Sequence, residues 1–214
     1  MAYLKTLPLI LTILGLAQAE PVPFGTLLKR IEERYNSTKT LRSEFQQTMV
    51  VAQGRTVSEN GVLYLRKPGQ MRWEYAQPTG KLFITDGKFV RYVTPASKRV
   101  EISEMKETDD LRAPLAFLLG KLDFERDFQR FEHTQVGNQT RIRAIPRNAK
   151  SMFEYVEFLA DPDGRLTVVT VQGKDSSSMT YAFQNEQRNL PLATTLFLYE
   201  PPAGFAVVRI QGEP

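Results

Sequence analysis

Near residue 40 the hydrophobic period of this chain changes from 3.6 to 2, and that change limits the fold more than any other feature. Before it, PFGTLLKRIEERYNSTK places Phe24, Leu27, Leu28, Ile31 and Tyr35 at helical spacing, with Lys29, Arg30, Glu32, Glu33 and Arg34 elsewhere. That is one amphipathic helix. After it, short alternating runs follow one another, separated by Gly54, Asn60-Gly61, Pro68-Gly69, Pro78-Thr79-Gly80, Asp86-Gly87 and Pro95. Asp86-Gly87, between KLFIT and KFVRYV, is the strongest hairpin signal. Runs resume near Phe124 and continue as RIRAIP, MFEYVEFLA, LTVVTVQG, MTYAFQNE, LFLY and FAVVRI. Strands joined by turns rather than helices pair antiparallel, and a sheet of this many strands must curl. The expected fold is mainly β (α+β): a single incomplete antiparallel β-barrel of about 11 strands.

One segment interrupts the series. Asp109-Asp110 caps a predicted short helix, LRAPLAFLLGKL, with Pro114 in its first turn and Leu115, Phe117, Leu118, Leu119 and Leu122 apolar nearly all round. An apolar helix between strand runs suits a lid over a barrel mouth. With the first helix it makes two or three helices covering the barrel.

The first 19 residues stand apart. MAYLKTLPLILTILGLAQA has one cation, an apolar run from Leu7 to Leu16, and Ala17-Gln18-Ala19 as a small-x-small cleavage pattern. This reads as a secretory signal peptide, too short in its apolar run to span a bilayer comfortably. The expected mature chain is then one domain, residues 20–214, soluble and exported to a bacterial periplasm. The chain has no Cys, so its core alone must hold it. Losing Lys5 with the leader lowers the formal charge from +4 to +3. That is too little to indicate nucleic acid, and it agrees with a partner of some negative charge.

Enzyme chemistry fares badly. The single histidine, His133, lies in a polar run and reads as a surface or structural residue. One His and no Cys exclude the usual zinc and Cys–His arrangements. Gly-x-Ser-x-Gly and phosphate-cradling glycine motifs do not occur. Asp161-Pro162-Asp163-Gly164 resembles a calcium loop only at its start and reads as a turn. Neither catalysis nor a cofactor is expected. Apolar surface is what the chain does offer, with 13 Phe and alternating bulky residues along most runs. In LYLRKPGQMRWEY, Met71, Trp73 and Tyr75 share one strand face. By pattern alone that face is either packed core or the wall of an apolar ligand cavity.

Several motifs in order resemble the LolA family of periplasmic outer-membrane lipoprotein carriers. They are Phe45-Gln46-Gln47, then Gly61-Val-Leu-Tyr-Leu-Arg-Lys-Pro-Gly with its continuation Met71-Arg-Trp-Glu-Tyr, and Thr85-Asp86-Gly87-Lys88 leading to Thr94-Pro95. The Pro114-Leu-Ala-Phe-Leu-Leu helix and Pro201-Pro202-Ala-Gly-Phe-Ala-Val-Val complete the set. The resemblance covers essentially all of the mature chain. It implies an apolar cavity for lipoprotein acyl chains, walled by Phe45, Leu63, Leu65, Met71, Trp73, Tyr75, Phe83, Val90 and Tyr92 and closed by Leu115, Phe117 and Leu118. It also implies an inner-membrane ABC transporter that supplies the lipoprotein, an outer-membrane receptor that takes it, and a monomeric carrier. The family's lid-tethering arginine falls on Lys67, with Arg66 where the family has lysine, and Met71 holds the position tied to cargo retention and transporter docking. Lysine lacks arginine's planar fork. Either Lys67 tethers the lid with fewer bonds, or Arg66 substitutes from the opposite strand face. Two other readings share the fold: a lipid- or lipoprotein-sensing regulator resembling the RseB group, and a carrier of another amphiphile. The outer-membrane receptor of this kind, LolB, would need a lipidated Cys after its leader. A periplasmic hydrolase would need a polar catalytic cluster that these residues do not supply.

Overall fold

Twelve strands hydrogen-bond edge to edge in one open sheet in the computed structural model, which describes residues 22–51, 54–105 and 122–210. Helix α1 (Phe24–Ser37) leads into β1 (Thr40–Val50), β2 (Thr56–Arg66), β3 (Gln70–Gln77), β4 (Leu82–Asp86), β5 (Phe89–Thr94) and β6 (Arg99–Glu104). A one-turn helix α2 (Phe124–Asp127) then precedes β7 (Phe128–Val136), β8 (Gln139–Pro146), β9 (Phe153–Ala160), β10 (Leu166–Gly173) and β11 (Ser178–Arg188), and β12 (Ala206–Arg209) ends the series. The expected leader, residues 1–19, and the expected helix with Asp109, Asp110, Leu115, Phe117 and Leu118 lie outside the described residues. No helix among the described residues is long and apolar enough to cross a membrane.

The spatial order is β12-β6-β5-β4-β3-β2-β1-β11-β10-β9-β8-β7. Nearly every neighbour pair is antiparallel, as turn-linked runs require. The exception is β12, which pairs parallel with β6, placing Ala206 opposite Arg99. The reason is its route. Residues 189–205 cross the outer surface and deliver β12 to β6 running the same way. Part of that crossing, LFLY in the sequence, was expected as a strand. Its first two residues instead end a 3-10 turn, Thr194–Phe197, which buries Phe197, and Leu198 and Tyr199 join no strand.

The expected period of two holds along the sheet and sorts side chains onto two surfaces. On the inner surface one large apolar cluster joins every strand from β1 to β3 with β8 through β11, and Leu27, Ile31 and Tyr35 of α1 enter it. On the outer surface Leu82, Val93 and Val100 form a smaller cluster under Tyr199 and Phe205 of the C-terminal crossing. Strands β4 and β5 are therefore apolar on both sides, which accounts for the near-continuous LFIT run.

Helix α1 is fastened along its length. Its first residue, Phe24, stacks flat on His133 of β7 with ring centroids 4.0 Å apart. Midway, the Asp161–Gly164 turn presses against it: a Cβ on Gly164 would lie 2.7 Å from the Arg30 carbonyl carbon, and φ there is +83°. Glycine meets both demands at once. At the far end, the Asn36 side-chain amide pairs with both backbone groups of Leu122, at 2.9 and 2.8 Å. The Glu32 carboxylate accepts from the Phe124 backbone N–H. The chain thus returns from the segment after β6 directly onto α1.

Candidate functional site: the inner face of the curled sheet

Strand register decides which side chains meet. Across β1, β2 and β3, Leu41 lies opposite Leu65, Leu65 opposite Met71 and Leu63 opposite Trp73. Across β3, β4 and β5, Trp73 lies opposite Phe83, Phe83 opposite Tyr92, and Thr85 opposite Val90. On the other flank of β1, Phe45 faces Phe183 and Gln47 faces Tyr181. Direct partners in an antiparallel pair project to the same side. The nine strand residues named as cavity lining therefore share one surface: Phe45, Leu63, Leu65, Met71, Trp73, Tyr75 and Phe83 belong to the buried cluster, and Val90 and Tyr92 pack against it half-buried.

Trp73, the chain's one tryptophan, sits at the centre and is 0 % exposed. Its ring lies 4.7 Å from Phe45, 5.0 Å from Tyr181 and 6.3 Å from Phe183, all at tilted or edge-on angles. Polar handles on this face find soft partners. The Trp73 indole N–H donates to Met71 Sδ at 2.8 Å, and the Tyr181 hydroxyl to Met179 Sδ at 2.6 Å. The Tyr75 hydroxyl donates to Gln47 Oε1 at 2.9 Å. Thioethers satisfy the donors while keeping the wall apolar and deformable. The face is thus an aromatic and aliphatic surface with few fixed polar points, suited to long hydrocarbon.

Sequence reasoning overlooked the β11 contribution. Met179, Tyr181 and Phe183 alternate in MTYAFQNE, and that spacing marks the run as a strand with one apolar face. What it does not contain is the pairing of β11 with β1, more than a hundred residues away in sequence.

The two cations before Pro68 part company. Lys67 Nζ donates to the Tyr35 carbonyl in the last turn of α1, at 2.7 Å. Burial, removing water from the ammonium, lowers the Lys67 pKa. Arg66 does not join it: its guanidinium donates to Thr194 Oγ1 on the outer crossing at 2.6 Å. Of the two alternatives, Lys67 and not Arg66 is the one that meets α1. Successive strand residues face opposite sides, so residue 66 cannot share the α1 side with residue 67.

The same helix end is held by a buried carboxylate. Glu186, its side chain only 6 % exposed, accepts from Arg34 Nη2 at 2.7 Å and from the Tyr35 hydroxyl at 3.0 Å. The Tyr35 oxygen in turn accepts from the Leu166 backbone N–H at 3.0 Å. Burial, reinforced by the Glu186 charge, pushes the Tyr35 pKa well above its ordinary range. These contacts fix α1 to β10 and β11. Lys67 is its bond to the β2–β3 turn.

Comparison with known proteins agrees with this arrangement. The family described as outer membrane lipoprotein carrier protein LolA matches residues 36–200. An outer-membrane lipoprotein carrier protein of Nitrosomonas europaea is 27% identical over 191 residues, spanning 88% of this chain and 92% of that protein. One from Nitrosospira multiformis is 27% identical over 173 residues, 80% of this chain and 83% of its own length. Among solved structures, an uncharacterised conserved protein of Thermus thermophilus superposes with a TM-score of 0.53 at 14% identity, covering 87% of this chain and 98% of its own. That likeness concerns the fold alone.

Proposed function

The chain belongs to the LolA family of outer-membrane lipoprotein carrier proteins, and from that premise we propose that it is a soluble periplasmic carrier that shields the acyl chains of lipoproteins. In this reading residues 1–19 direct export and are removed. The carrier then takes its cargo from an inner-membrane ABC transporter and gives it to an outer-membrane receptor, working as a monomer without a cofactor.

One observation supports it above the others: nine inward residues of β1 to β5 form a continuous apolar face, in the same buried cluster as Leu27, Ile31 and Tyr35 of α1. Carriage needs no bond chemistry. Each methylene moved from water onto such a face contributes about 0.8 kcal/mol, so a pair of long acyl chains binds firmly. Release needs the opposite tendency. When α1 lies on the face, the carrier's own contacts compete with cargo, and the difference between the two states sets a net affinity that a receptor can overcome. Lys67 biases that competition through the Tyr35 carbonyl. Leu115, Phe117 and Leu118 are assigned to closing the cavity, and Met71 to docking on the transporter.

The test uses a synthetic peptide whose N-terminal cysteine bears a dipalmitoylglyceryl thioether. Native mass spectrometry of the purified protein with this lipopeptide should give a one-to-one complex, and the same peptide without acyl chains should give none. Equal binding of both peptides, or of neither, overturns the reading.

A further inference from the structure

The inner face carries an ion pair that a purely hydrocarbon ligand does not require. At the end of β2 remote from Lys67, about 26 Å away along the strand, Glu59 and Lys81 project inward beside Gln47, Tyr75 and Tyr92. Register fixes this. Gln47 lies opposite Glu59, and the Tyr75 backbone N–H donates to the Lys81 carbonyl at 3.2 Å, so residue 81 shares the side of Tyr75 and Phe83. The Lys81 ammonium donates to both Glu59 oxygens, at 2.6 and 2.5 Å. It also sits 4.3 Å from the Tyr75 ring centroid and 5.7 Å from that of Tyr92. The two side chains keep only 14% and 12% of their exposure.

Stability alone does not explain the pair. Withdrawing two charges from water costs about what their attraction returns, and apolar residues of similar volume serve a sheet as well or better. The rest of the face, from Leu63 to Phe83, is built of such residues. What the arrangement does supply is a donor fixed in place: the carboxylate and two aromatic rings orient the ammonium before any ligand arrives. Gln47, bonded to Tyr75, extends the polar patch toward β1. Chain oxygens meeting an oriented cation form charge-assisted hydrogen bonds, which are stronger than neutral ones.

We propose that Lys81, positioned by Glu59 and flanked by Gln47, is a polar subsite for the ester or amide carbonyls that join acyl chains to their carrier molecule. The head of the ligand then lies at Lys81, and the hydrocarbon runs along Tyr75, Trp73 and Met71 toward Lys67. This rests on the carrier reading and adds a determinant of ligand orientation to it.

Two probes separate the subsite from the apolar face: the dipalmitoylated peptide above and the neutral dye N-phenyl-1-naphthylamine, which lacks such carbonyls. Both are titrated into the purified parent, a double variant Lys81→Met with Glu59→Leu, and Lys81→Arg. The parent should bind both. The double variant should keep dye affinity within about twofold and lose about tenfold for the lipopeptide, while Lys81→Arg retains most of it. If the double variant does not fold, Lys81→Gln replaces it in the same comparison. Lipopeptide affinity unchanged in the folded variant overturns the subsite and leaves the carrier reading intact. So does an equal loss for both probes, which would mark a packing defect. A parent that binds neither probe removes the carrier reading and the subsite together.

Discussion

At the scale of a residue, Lys67 makes one side-chain hydrogen bond among the described residues, and in the proposed carrier that bond biases the site. Its partner, the Tyr35 carbonyl, lies in the last turn of α1 and also accepts from the Thr38 backbone N–H at 3.3 Å. Lys67→Met removes the donor but also removes the cost of burying an ammonium, so the net loss of stability should be only about 1 kcal/mol by urea denaturation. Because the state that loses is the one with α1 on the face, lipopeptide affinity should rise, by up to about fivefold. Lys67→Arg, whose planar fork can satisfy more than one acceptor, should hold α1 at least as firmly and should not raise lipopeptide affinity. Weaker lipopeptide binding by Lys67→Met would show that the bond supports the binding face rather than its cover. The sequence pointed to residue 67 and offered Arg66 as a substitute. Lys67 meets the Tyr35 carbonyl, whereas Arg66 reaches Thr194 on the outer surface.

At the scale of the element, α1 is clamped by groups that titrate. Tyr35 bridges Glu186 and the Leu166 N–H from a buried position, and its pKa is raised by burial first and the Glu186 charge second. In the unfolded chain a tyrosine loses its proton near pH 10, whereas the folded protein holds it. A raised folded pKa gives stability that is complete below the unfolded value and declines as pH climbs past it. Unfolding free energy should therefore fall between about pH 9.5 and 11, and Tyr35→Phe should reduce that slope. At pH 7 the same substitution should cost about 1–3 kcal/mol, because Glu186 and the Leu166 N–H each lose a buried partner. An alkaline slope unchanged in Tyr35→Phe would assign it to other groups. The helix itself was legible from Leu27, Ile31 and Tyr35 at helical spacing. Its clamp was not, since Glu186 and Gly164 approach it from strands and turns more than a hundred residues later in the chain.

At the scale of the molecule, period-two runs and turn residues were enough to read a mostly β sheet that curls and to put Met71, Trp73 and Tyr75 on one face, while the wider set of Phe45, Leu63, Leu65, Phe83, Val90 and Tyr92 came from the family resemblance and lies on the same side. Two things escaped because they depend on long-range pairing. One is the meeting of β1 with β11, which brings Tyr181 and Phe183 beside Trp73. The other is the parallel β12 at the edge, reached by a crossing whose apolar LFLY run reads as a strand, although its first half folds as a 3-10 turn and Tyr199 packs on the outer cluster. Both follow from the chain's topology, which local periodicity does not encode. The central claim is that the face around Trp73 receives acyl chains, and the single tryptophan makes it directly measurable. Fluorescence of the purified protein should be recorded with a lipopeptide whose acyl chains carry bromine atoms, and again with its unbrominated twin. The account predicts strong, saturable quenching by the brominated chains and none by the twin at equal occupancy. Binding of the brominated lipopeptide without quenching would place the chains elsewhere and contradict it.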